Sequence, residues 1–105
     1  MSSNTKLSHG DKFLLKEFKR DNPGAAFATS EDGRVTILVV PHPSLNMGHF
    51  TISVASENEE KFRRKVGEFE ALRRYWDGMG QPVNTQFFPA EDIARNIAHT
   101  LAGFH

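Results

Sequence analysis

Arg63, Arg64, Lys65, Arg73 and Arg74 are five of the six basic residues in the stretch KFRRKVGEFEALRRYWDGMG, Lys61 to Gly80. Guanidinium and ammonium groups at this density pair with carboxylates of a protein partner or with phosphates of nucleic acid. Glu57, Glu59 and Glu60 stand just ahead of them and would repel phosphate. A second cluster is His42 and His49, at opposite ends of the loop HPSLNMGH. Imidazoles ligate metals, but a closed site needs a further His or acid. None is apparent here, so no metal is expected and both are read as solvated loop residues. Glu68 and Glu70 read as i,i+4 partners of basic residues. His99 and His105 suit a final helical turn. There is no cysteine, which excludes disulfides, thiolate metal sites and cysteine nucleophiles. With no phosphate-binding glycine loop and no Ser-His-Asp order, no catalytic residue and no cofactor are expected. The protein is read as non-enzymatic.

These residues must be positioned by one small domain. The chain has 105 residues, with 13 basic against 13 acidic side chains. Overall charge therefore argues for neither nucleic acid nor membrane, and only local patches can. No apolar run approaches the roughly 18 residues of a membrane span, and the N-terminus has no apolar signal core. The expectation is a soluble, cytoplasmic, single-domain protein spanning 1–105, with 1–6 a flexible tail.

Ser8 and Asp11 have the capping-box spacing, predicting a helix over about His9 to Arg20 with Leu7, Leu14, Leu15 and Phe18 on one side. Asn22-Pro23 ends it. GAAFATS, RVTILVV and HFTISVAS read as strands, the first two joined at Asp32-Gly33, a strong hairpin signal. Val35, Ile37, Val39, Phe50, Ile52 and Val54 are expected on one sheet face; Leu38 and Val40 point the other way, so the second strand is covered at least partly on both sides. His49, Thr51 and Ser53 are expected outward. A long helix from about Glu57 to Asp77 follows, then VNTQFF as a possible short strand, then a final helix opened by Pro89. The fold class is α+β: an antiparallel meander of three or four strands with helices packed on it, order α-β-β-β-α-(β)-α.

At about 100° per residue, Phe62, Val66, Phe69, Leu72 and Trp76 share one arc of the long helix, expected to face the sheet. The opposite side carries Arg63, Arg64, Gly67, Ala71 and Arg74, with Tyr75 beside it. A glycine inside a helix costs about 1 kcal/mol relative to alanine, so Gly67 is expected to permit a close backbone approach, by the last helix or by another molecule. Arg73 projects into the apolar arc and is expected to reach an acid.

Phe62, Lys65, Gly67, Ala71 and Arg74 follow the pattern F-x-x-K-x-G-x-x-x-A-x-x-R, after a meander ending in TISVAS. Over roughly Arg34 to Gly78 the chain resembles small phage- and prophage-encoded proteins in which a VAVA-type strand precedes such a helix. The resemblance implies a phage or prophage setting and a bacterial host, and no activity. The chain departs from that pattern in following the motif with Tyr75-Trp76 and a further helix.

The expected function is binding of another protein, either a second copy or a host protein, through Arg63, Arg64, Gly67, Ala71, Arg74 and Tyr75. Exposed Tyr and Arg side by side are typical of interface hot spots. The alternative is a nucleic-acid-binding module using the same basic face. The α-β-β-β-α order resembles the double-stranded-RNA-binding domain, but glutamates stand here where that domain carries lysines.

Overall fold

The computed structural model describes residues 7–42, 46–55 and 63–103. Helix α1 (His9–Asp21) opens on the expected capping box: the Asp11 amide donates to Ser8 Oγ at 3.1 Å, and the Ser8 amide to Asp11 Oδ2 at 3.4 Å. Strands β1 (Ala26–Thr29), β2 (Val35–Pro41) and β3 (Met47–Val54) follow, then helix α2 (Arg64–Trp76), strand β4 (Gln81–Asn84) and helix α3 (Ala90–Ala102). The sheet is a four-stranded antiparallel meander in chain order. Expectations for residues 1–6, 57–62 and 105 lie outside the described residues, including the start of the long helix and Phe62.

The first hairpin turns where the sequence signals it. Gly33 takes φ +78°, which only glycine adopts freely. Asp32 Oδ1 accepts from Ser30 Oγ at 2.6 Å and from the Arg34 amide at 3.0 Å, an Asx-type brace for the turn. Helix α2 ends in a Schellman motif: Gly78, also at φ +78°, donates to the Tyr75 carbonyl, and Met79 donates to that of Arg74. The fourth strand is Gln81–Asn84 rather than VNTQFF, and Phe87 and Phe88 stand exposed in the following loop.

Both faces of the sheet are covered, as the run of apolar residues in β2 requires. Leu38 and Val40 join Leu15 and Phe18 of α1 and Phe69, Ala71 and Leu72 of α2 in one core. Val35, Ile37 and Val39 join Ile93, Ala94 and Ala98 of α3 in the other, with Phe50 and Ile52 at its margin. The expected face of β2 and β3 is therefore real, but its cover is α3 rather than α2. Val54 at the end of β3 is exposed, as is Leu14 on α1. Thr51 and Ser53, expected outward, are buried beneath α2.

The largest correction concerns the rotation of α2. Its closest approach to the sheet is made by the stripe expected to face away, while Phe69 and Leu72 of the expected arc reach Leu38 and Val40. A Cβ on Gly67 would run into Thr36 Oγ1 of β2. Ala71 is fully buried, and its carbonyl accepts from Thr51 Oγ1 at 2.7 Å. Arg74 reaches over β3, its Nη1 donating to the Ile52 carbonyl at 2.8 Å. Phe69 and Trp76 instead turn sideways, each ring meeting its neighbour edge-on: Phe18 against Trp76 and Phe69 against Trp76, both with centroids 6.4 Å apart. The arc of bulky residues meets α1, and its Phe69 and Leu72 also share the core with Leu38 and Val40 of β2, so α2 is wedged between α1 and the sheet with its small-residue stripe closest to the strands. Tyr75 and Trp76 exchange their expected roles: Tyr75 is half-buried against Phe18, while Trp76 is 49% exposed.

Candidate functional site

The six residues expected to form a binding face do not form one. Gly67 and Ala71 are consumed by the sheet, Tyr75 by α1, and Arg74 by the Ile52 carbonyl. Arg63 is the half-buried N-cap of α2 and makes no side-chain cap bond. Of the six, Arg64 alone combines an exposed side chain with a place beside the cationic cluster that the fold does assemble. Arg73 pairs with Glu70 at 3.2 Å on the surface, so it reaches an acid as expected, with its stem in solvent. The motif Gly67, Ala71, Arg74 is thus a docking signature of helix on sheet: small residues where the backbones approach, then a guanidinium that ties the helix to a strand.

The cationic cluster lies between α1 and the start of α2. Lys12, Lys16 and Lys19 recur at i, i+4 and i+7 and so share one flank of α1. Leu15 and Phe18 pin the adjacent face of that helix into the core. Packing of Leu15 and Phe18 against Phe69 and Leu72 sets α1 beside α2, which brings Lys65 opposite the lysine flank. Lys12, Lys16, Lys19 and Lys65 line a cleft of about 510 Å³ whose floor is Leu15.

One carboxylate anchors this cluster. Glu68 is only 5% exposed. Its Oε1 accepts from Lys19 Nζ at 2.8 Å and lies 3.9 Å from Lys65 Nζ, while Oε2 lies 3.8 Å from Arg64 Nε. Three cations thus share one negative charge. The compensation is incomplete: the Lys19 ammonium holds the Lys65 ammonium below the usual lysine range, with Glu68 opposing the effect. A cluster of like charges at the surface, with Lys19 half-buried, attracts an anion. The aliphatic floor adds an apolar contact, and the lysine stems extend it.

This site is not legible from positions within one helix. Lys12, Lys16 and Lys19 were visible at helical spacing; their meeting with Lys65 is a product of the α1–α2 contact. His42 and His49, read as separate solvated residues, are also brought together: His42 Nε2 and His49 Nδ1 are 3.0 Å apart and both rings are half-buried. Compared with protein families, curated proteins and solved structures, the chain matches none. Among the described residues, no helix is long and apolar enough to cross a membrane.

Proposed function

We propose that this is a small non-enzymatic protein that binds an acidic segment of another protein in the cleft between α1 and α2. The observation that carries the reading is the convergence of Lys12, Lys16, Lys19 and Lys65 around the Leu15 floor, with the buried Glu68 as counter-charge to Lys19 and Lys65. Lysines act as flexible point charges rather than planar forks. They suit carboxylates presented along a peptide, and the apolar floor suits a side chain between those carboxylates. The partner is a host protein or a second copy of the chain. The phage or prophage setting, and with it the cytoplasm of a bacterial host, rests on the F-x-x-K-x-G-x-x-x-A-x-x-R pattern alone.

Nucleic-acid binding is the second reading, favoured by the three-lysine row on α1 continuing into Arg64 and Lys65. The aliphatic floor of the cleft favours a peptide over a phosphate ribbon. Fluorescence anisotropy with a labelled Glu/Leu peptide, a single-stranded oligonucleotide and a duplex, each over a salt series, separates them. The peptide is expected to bind, and Lys12→Glu/Lys16→Glu to abolish binding while leaving the circular dichroism spectrum unchanged. Tighter binding of either oligonucleotide, weakening steeply with salt, replaces the first reading with the second. Equal peptide binding by wild type and double variant refutes the cleft.

A further inference from the structure

The His42–His49 pair is built into the backbone of the sheet rather than left on a loop. His49 lies within β3, paired with Val40 on one side and Pro82 of β4 on the other. His42 follows the last residue of β2, and its amide donates to the Met47 carbonyl at 2.9 Å, extending the β2–β3 ladder past the strand end. Two glycines make room. A Cβ on Gly48 would strike the Val40 carbonyl oxygen at 2.6 Å, and one on Gly80 would meet the Cβ of His49 at 3.0 Å. The hairpin is therefore drawn tight where the imidazoles project, and β4 flanks His49 within the sheet. The rings stand edge to face, with centroids 5.1 Å apart and planes at 86°.

We propose that His42 Nε2 and His49 Nδ1 form a two-point site for a divalent late transition metal ion, Cu²⁺ or Ni²⁺. The separation of 3.0 Å is the span of two cis ligands: at metal–nitrogen distances of about 2.1 Å it corresponds to an angle of about 90° at the ion. A right angle belongs to square-planar or octahedral coordination, which Cu²⁺ and Ni²⁺ adopt, and imidazole suits both. Tetrahedral Zn²⁺ requires a wider angle. In the metal-free protein, one facing nitrogen donates its proton to the lone pair of the other. The ion replaces that proton, and the displaced tautomer carries its hydrogen on the remote ring nitrogen. Among the described residues no third His or acid joins the pair, and water can fill further coordination positions. The site is independent of the lysine cleft.

The test is NMR of the wild-type protein during addition of sub-stoichiometric Cu²⁺, with isothermal titration of Cu²⁺, Ni²⁺ and Zn²⁺ alongside. Paramagnetic broadening is expected first at His42, His49, Pro41 and Gly48, before His9 of α1 or His99 of α3. His42→Ala and His49→Ala are each expected to weaken Cu²⁺ binding at least tenfold, His99→Ala to leave it unchanged, and Zn²⁺ to bind wild type more weakly than Cu²⁺. Broadening that begins at His9, His99 or a chain terminus overturns the site without recourse to any variant. So do single variants that bind Cu²⁺ as wild type does.

Discussion

Thr36 of β2 occupies the space in which a side chain at position 67 of α2 would stand. Thr36 is 1% exposed, held between the sheet and the helix, so it has little freedom to withdraw. Gly67→Ala should gain about 1 kcal/mol of helix propensity and lose about 1–3 kcal/mol to overpacking. The expected net result is a lower melting temperature. In a Thr36→Ala background, which removes the obstructing hydroxyl, the same substitution should be neutral or stabilising, because contacting residues couple. A higher melting temperature for Gly67→Ala in the wild-type background would show that α2 does not sit close on β2.

Ile37 and Ile52 are cross-strand partners on the α3 face, yet Ile37 is wholly buried while Ile52 is only partly so. Ile37→Ala is expected to destabilise by about 2–5 kcal/mol, and Ile52→Ala by less. Chemical denaturation of the two variants checks the order; the reverse order would mean that α3 covers the other end of the sheet.

The alternation of the strands, the capping box at Ser8 and Asp11, and the Asp32-Gly33 turn were legible because each is a short-range pattern that satisfies backbone hydrogen bonds locally. The rotation of α2 was not. Bulky residues ordinarily mark the sheet-facing side of a helix. Here the sheet beneath α2 presents Thr36, Thr51 and Ser53, and the helix meets them with Gly67 and Ala71. Phe69 and Trp76 were correctly seen as one interface, but their neighbour is Phe18 of α1. Nor could the sequence show that His42 and His49 meet, because Gly48 and Gly80 act on the approach of strands. The lysine cleft depends on the same long-range packing.

Asp32 is held below the usual aspartate range, first by the Ser30 hydroxyl and then by the Arg34 amide. A carboxyl depressed in the folded state contributes stability that is complete above its unfolded value and is lost as pH falls through the folded one. Wild type should therefore lose hairpin stability on acidification below the ordinary aspartate range, and Asp32→Asn should lack that component. Thermal unfolding of both proteins across acid pH measures it. Parallel curves would place the acid sensitivity elsewhere.

On the proposed reading, Glu68 competes with a bound anion for Lys19 and Lys65. Glu68→Gln should destabilise by about 1–3 kcal/mol, less than the loss of a fully buried pair, because Lys19, Arg64 and Lys65 all retain access to solvent. The same variant should bind the Glu/Leu peptide more tightly than wild type, since the lysines lose their internal partner. Weakened binding by a folded Glu68→Gln would mean that the carboxylate positions the lysines instead of neutralising them.

The most direct test of the cleft is to see where an acidic peptide lands. With ¹⁵N- and ¹³C-labelled protein at low salt, a Glu/Leu peptide should shift the side-chain signals of Lys12, Lys16, Lys19 and Lys65 and the methyl signals of Leu15, saturating with one affinity. Resonances of the exposed Phe87 and Phe88 and of α3, on the far side of the sheet, should stay in place. Shifts confined to α3 or the β4–α3 loop, or an absence of shifts in the lysine cluster at saturating peptide, would contradict the assignment of the α1–α2 cleft as the binding site.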